Sequence, residues 1–287
     1  MVLANLAVLL AKLGKRTCLV DLDVGGANAH ILYGLLKPKA TLTDFLTRKV
    51  KSLQEVAQPL GSFHGVHLIA GTGDTLKTAN MPFQTKQRLL RNLALLDYDI
   101  ILMDVGAGTG FHALDFFMSS NLQVCVTTTD PTAIIDFYRF LKLAAVRKAL
   151  SAFLSHDVIS KTIAAEEFKS MEDVLELADR TQQGAKKKAE AALASFRPCL
   201  VINQVREGGA KNRLKVRHVA RQFLGVDLPE LGVVPWDEAV QESVRSYMPV
   251  CEYAPESPAS KSLEKIAGTL LTHIDNVNRQ FNSTTAG

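Results

Sequence analysis

A doubly wound α/β fold, with a mostly parallel sheet and helices on both faces, is what this 287-residue sequence predicts. Three observations carry that expectation. Short apolar runs without polar alternation recur along the chain, as strands buried on both faces do. Segments of helical period lie between them. The two kinds follow one another in regular order from the first residues to the last strand candidate.

Taken in order, residues 4–13, ANLAVLLAKL, place apolar side chains at helical spacing and stop at Gly14, where a helix end accepts a left-handed residue. TCLVDLD (17–23) reads as a buried strand. GVHLIAG (65–71), YDIILMDVG (98–106), LQVCVTTT (122–129), CLVINQV (199–205) and LPELGVVP (228–235) repeat the pattern, with helical segments at 85–96, 132–149 and 212–224. From Ser151 to Phe196 the chain turns charged and helix-prone and holds no strand candidate. No Pro- or Gly-rich linker flanks this stretch, so 151–196 is expected to be a helical insertion within one domain spanning 1–287. The last dozen residues, NVNRQFNSTTAG, read as a fraying tail.

Composition narrows the classes. With 47% hydrophobic and 22% charged residues the chain can bury a sizeable core. No run approaches the ~18 apolar residues of a membrane helix, and MVLANLAVLLAKLGKR lacks an export signal, so a cytoplasmic protein is expected. Cys18, Cys125, Cys199 and Cys251 form no C-x-x-C pair, which points to buried reduced thiols rather than zinc or disulfides. His30, His64, His67 and His112 match no metal pattern. A net charge of +4 does not by itself argue for nucleic acid.

The informative stretch is LVDLDVGGANAHILYG (19–34). Asp21 and Asp23 end one strand and Asp104 ends another, so a parallel sheet should bring the three carboxylates to one edge. Strand-terminal aspartates often cap helices, and one alone would be read that way. Three together would repel unless a cation sits among them, and Mg²⁺ bound through carboxylates, waters and nucleotide phosphates meets that need. YDIILMDVGAG has the form of a Walker B strand followed by a glycine turn that can sense a γ-phosphate.

These strings together resemble the deviant Walker A P-loop ATPases of the MinD/ParA family, FlhG-like members among them. TTTDPTAIIDFYRFLK is similar to the strand, Asp-Pro turn and helix that follow Walker B there. LVINQV resembles the strand whose Asn recognises adenine, and LGVVPWDEAVQESVRSYMPV the late G-x-[IV]-P-x-D segment. Residues 1–150 and 197–270 follow the family's order. Members of the family begin with a strand and a K-G-G-V-G-K-[ST] phosphate loop, then about three residues and ANLA. Here Met1, Val2 and Leu3 occupy those linking positions, and neither GTGDTLKT (71–78) nor GGAKNRL (208–214) supplies the loop. The expectation is therefore an N-terminally truncated or mis-started reading of a complete ATPase. A missing central strand would leave buried backbone groups unpaired on its neighbours, at about 1–3 kcal/mol each.

The resemblance implies roles. Asp23 positions or activates the water that attacks the γ-phosphate, while Asp21 and Asp104 hold Mg²⁺-bound waters. Gly25, Gly26 and Asn28 approach phosphate or a partner subunit, and Gly106 and Gly108 lie in the γ-phosphate-sensing switch. Asn203 reads the adenine edge, with Pro235 and Asp237 on the other side of the base. ATP and Mg²⁺ are the implied cofactors, and an ATP-dependent homodimer the implied assembly. The chain as given is expected to hydrolyse weakly or not at all. The absence of C-x-x-C argues against the family's Fe-S carrier role.

Two readings compete: a non-catalytic interaction module that has lost phosphate binding, and a DNA-partition ATPase. The second rests on VREGGAKNRLKVRHVAR (205–221), whose Arg206, Lys211, Arg213, Lys215, Arg217 and Arg221 more often make a solvated helix face. Near the C-terminus Leu263, Ile266, Leu270, Ile274, Val277 and Phe281 recur at helical spacing with few cations, so packing against the sheet is favoured over membrane contact. The helical insertion is the candidate surface for a protein partner.

Overall fold

The computed structural model describes residues 1–23, 26–71, 81–106, 108, 110–166, 168–206, 216, 218, 221 and 228–285. The chain divides into two compact units, one made of Met1–Ala107 with Gly232–Gly287 and the other of Gly108–Leu231.

In the first unit, helix α1 (Val2–Lys12) ends at Gly14, whose φ of +83° lets its N–H reach back to the Ala11 carbonyl at 2.9 Å. Strand β1 (Thr17–Asp21) follows, all five residues buried. Helix α2 (Leu42–Leu46) starts on a capping box between Thr41 and Asp44. Strands β2 (Gln58–Pro59) and β3 (Val66–Ile69), helix α3 (Phe83–Leu93) and strand β4 (Ile100–Asp104) complete the N-terminal part. The sheet order is β2-β3-β1-β4, with β1 parallel to both neighbours and only β2 antiparallel. Where β1 begins, the Arg16 guanidinium bridges Asp97 and Asp99 and the Arg16 backbone N–H donates to the Asp99 carboxylate at 2.7 Å, fixing the register with β4.

The second unit holds helix α4 (Phe111–Ser119), strand β5 (Gln123–Thr127) and helix α5 (Pro131–Leu150), which has proline at its first turn after Asp130. Helices α6 (His156–Ala165), α7 (Met171–Thr181) and α8 (Ala185–Ala194) make up the segment expected as an insertion. They share a core with the end of α5, in which Leu150, Phe168, Val174 and Ala189 are buried. Strands β6 (Pro198–Val205) and β7 (Glu230–Pro235) follow, and the second sheet runs β5-β6-β7 with β5 parallel to β6. Helices α9 (Glu238–Arg245), α10 (Val250–Tyr253) and α11 (Pro258–Thr285) return to the first unit.

The strands thus lie in two sheets, each mostly parallel and flanked by helices. Each sheet ends on a strand with no ladder on its outer side among the described residues, β4 in the first and β5 in the second. Val126 on β5 is accordingly 48% exposed. One detail differs from expectation. As far as they are described, the last dozen residues are not a tail: the backbone stays helical to Thr285, continuing α11, whose Leu263, Ile266, Leu270 and Val277 are buried. That buried face meets α1 and α10, and Ile266 packs on Gly232 of β7, where a Cβ would come within 2.6 Å of its side chain, so α11 touches the sheet as expected. Of the helix expected at 212–224, only Val216, His218 and Arg221 are described, and they are helical; Lys211, Arg213, Lys215 and Arg217 lie outside the described residues. The four cysteines are free and buried, and burial pushes the Cys18 thiol up to about 12. Among the described residues no helix is long and apolar enough to cross a membrane.

Candidate functional site

Asp21 ends the central strand of the first sheet and sits directly across from Asp104, the last residue of β4. It is 1% exposed. Its Oδ1 accepts the Asp23 N–H and its Oδ2 the Ala29 N–H, both at 3.1 Å. The Leu22 N–H still bonds the Asp104 carbonyl at 2.9 Å, and beyond it the two carboxylate bonds turn Asp23 away from β4 and fold the chain back through Ala29. Burial raises the Asp21 carboxyl from the usual 3.8 to about 6; the two N–H bonds work against this, and the charges of Asp104 and Asp23 add to it. Asp104 is also raised, by burial first, with Asp23 adding to the effect.

Asp23 is half-buried and accepts the Gly26 N–H at 3.1 Å. Its carboxylate lies so close to Gly106 that a Cβ there would overlap it, and only glycine leaves room for the acid beside the β4 turn. Gly71, at the end of β3, does the same for Asp21: a Cβ would come within 3.0 Å of the Asp21 carboxyl carbon and 2.5 Å of the Ala27 methyl. The structure therefore brings Asp21, Asp23, Asp104, Gly26 and Gly106 to one rim, where the carboxylates feel one another's charge.

The remaining expected residues are spread more widely. Asn28 is exposed on the turn after Gly26, and its carbonyl accepts the Ile31 N–H at 3.0 Å. Gly108 is exposed with φ +137°, and Gly25 lies outside the described residues. Pro235 closes β7. Asp237 caps α9 by accepting the Ala239 N–H at 3.0 Å, and its other oxygen takes the Ala259 N–H at 3.0 Å, tying the start of α11. Burial opposes its charge, but those N–H groups and Ser257 prevail and hold its carboxyl below the usual range. In the second unit Asn203 stands near the end of β6, before Gln204 with its φ of +55°. Its Oδ1 is buried and has no hydrogen-bond partner among the described residues.

Sequence reasoning missed Gly71 and the Ala29 N–H. The glycine closing GVHLIAG is a visible signal once β3 is placed beside β1. It also missed the buried pair of Arg147 and Asp115, which no local pattern marks.

The donor set fits an ion held through its water. Among the described residues no three His, Cys, Asp or Glu side chains lie close enough to ligate one metal directly. Two raised carboxyls and a third acid at a rim suit Mg²⁺, which keeps much of its hydration shell. The unpartnered Asn203 oxygen suits a donor from outside the chain, such as an adenine amino group.

Comparison with known proteins places these features. The family model of the CobQ/CobB/MinD/ParA nucleotide binding domain matches residues 1–250. The antiactivator FleN of Pseudomonas aeruginosa is 25% identical over 265 residues, covering 92% of this chain and 78% of that protein. The flagellum site-determining protein YlxH of Helicobacter pylori is 25% identical, covering 95% and 77% respectively. The fold is shared with the septum site-determining protein MinD of Pyrococcus horikoshii, solved with Mg-ADP, at a TM-score of 0.63, 21% identity and coverage of 93% and 87%.

Proposed function

The chain belongs to the CobQ/CobB/MinD/ParA nucleotide-binding-domain family, and from that premise we propose that it is a nucleotide switch that binds ATP with Mg²⁺ and uses the cycle to set the place or number of a cellular assembly. The observation that carries this reading is the pairing of Asp21 with Asp104 across β1 and β4, with Asp23 packed onto Gly106. Asp21 and Asp104 hold waters of the metal's shell. Asp23, tethered by the Gly26 N–H, orients the attacking water. On the family resemblance, Gly106 and Gly108 are assigned to the phosphate end and Asn203 and Pro235 to the base. The chemistry supplied by bound Mg²⁺ and ATP is phosphoryl transfer to water, with the metal screening charge on the phosphate oxygens. The Helicobacter pylori relative YlxH, a flagellum site-determining protein, favours a flagellar assembly as the target. The reading is completed by a cytoplasmic, ATP-dependent homodimer as the working form, with α6–α8 as a partner surface.

A second reading has its own support: no G-K-[ST] run occurs in these 287 residues to grip phosphates, which favours a binding module without turnover. One experiment separates the two. ATP affinity and Mg²⁺-dependent turnover are measured for the chain as given and for the chain preceded by a strand and K-G-G-V-G-K-S loop. The switch predicts weak binding by the first, and turnover by the second that Asp23→Ala abolishes. Absence of Mg²⁺-dependent binding in both forms supports the module.

A further inference from the structure

The end of α9 exposes Val244, Tyr247 and Met248, and the turn at 31–36 exposes Ile31 and Leu36; Leu36 is 60% and Tyr247 49% accessible. The two stretches form one surface. Tyr33 in the turn donates its hydroxyl hydrogen to the Ala4 carbonyl at 2.8 Å, and Cys251, just past Tyr247, donates its N–H to Oδ1 of Asn5 at 2.9 Å. Consecutive residues of α1 thus anchor both. A side chain at Gly34 would lie 3.8 Å from the Tyr247 carbonyl oxygen.

Tyr247 itself is strained. Its φ of +54° is left-handed, at the position after the α9 cap where Met248 N–H returns to the Ser243 carbonyl at 3.0 Å. Glycine fits that position without cost. A half-exposed aromatic there is a local conflict that the fold does not require, and such conflicts concentrate where a surface is used. Exposed cations lie beside both stretches in the sequence. Lys37 and Lys39 follow Leu36, Arg245 lies between Val244 and Tyr247, all three are exposed, and none makes an ion pair among the described residues.

We propose that this face docks a protein segment that is amphipathic and acidic, with apolar anchors over Tyr247, Met248 and Leu36 and carboxylates meeting Lys37, Lys39 and Arg245. Aromatic, methionine and arginine side chains are the ones enriched at the centres of protein interfaces. Glu242, exposed on the same helix, sets the face apart from the uniformly cationic rim that anionic lipid selects. Docking here is independent of nucleotide binding and does not rest on it.

The probe is a fluorescein-labelled helical peptide bearing a leucine stripe flanked by glutamates, with a lysine-flanked counterpart, titrated with the full chain in fluorescence anisotropy. Saturable binding of the acidic peptide is expected, weakened about tenfold or more in the lysine-flanked form and by Leu36→Ser, Arg245→Glu or Tyr247→Gly. Tyr247→Gly removes the ring where the backbone favours glycine, so an unchanged or higher Tm separates lost docking from lost fold. No saturable binding, equal binding of both peptides, or binding indifferent to Tyr247→Gly overturns the proposal. So does sedimentation with phosphatidylglycerol vesicles that Tyr247→Gly abolishes while the peptide fails to bind, which assigns the face to a membrane instead.

Discussion

Asp115 and Asp21 are both carboxylates drawn out of water, one in each unit, and the chain treats them in opposite ways. Asp115 receives Arg147 through two bonds, Nε at 2.6 Å and Nη2 at 3.2 Å, and the Phe111 ring lies 4.8 Å from the guanidinium carbon. The Arg147 side chain is 2% exposed. Its charge is supplied from within, and the pair bolts α4 to α5. Asp21 has backbone N–H groups for partners, and the charges that shift it come from two more acids. A buried ion with a permanent counter-charge is a fastening. One among like charges stores a cost that a cation from solution relieves.

Breaking the fastening should give the largest effect. Arg147→Met strands the Asp115 charge and should lower the unfolding free energy by about 3–5 kcal/mol in urea titration, with Asp115→Leu added in the same chain recovering more than half. A loss under about 1 kcal/mol would remove the contrast with Asp21. Gly106→Ala should cost about 1–3 kcal/mol by driving Asp23 from its seat, read as a lowered Tm. Asp237→Ala should cost about 1–2 kcal/mol, since both its oxygens serve N–H groups. Its carboxyl is held low, so that contribution is present above the ordinary carboxylate range and is lost as pH falls through its folded value; the variant's deficit should shrink in acid.

The acid rim should behave in the reverse sense. Asp21 is raised to about 6 in the folded state, so its ionised form opposes folding. The cost is absent below 3.8, grows as pH rises toward about 6 and is complete above it. Asp104→Asn removes one neighbouring charge and should stabilise the chain by about 1 kcal/mol at pH 8, with the gain fading near pH 4. Tm measured at both pH values checks this, and a loss of stability at pH 8 would place Asp104 with the fastenings.

Much of the frame is legible because burial on both faces erases polar alternation. TCLVDLD and YDIILMDVG contain β1 and β4 for that reason, and parallel pairing then puts Asp21 beside Asp104 without further information. The approach of Gly71 to Asp21 is not legible, because it depends on β3 lying next to β1 rather than on any spacing. Arg147 and Asp115 stand on different helices and share no motif. Asp237 reads alike in sequence whether it lines a base or caps a helix, and its bonds to Ala239 and Ala259 are what show the cap. The helical C-terminus escapes a reading based on polar composition because its support comes from α1, at the other end of the chain.

That support fixes an order of events during synthesis. Residues 108–231 are contiguous and can collapse as a unit, whereas α1 gains the cover of α10 and α11 only after that whole stretch has been made. Until then α1, whose Leu6 and Leu10 are fully buried in the folded chain, has only the strands of its own sheet to pack on. A chaperone that binds aliphatic residues would find its target on α1 until α10 and α11 emerge.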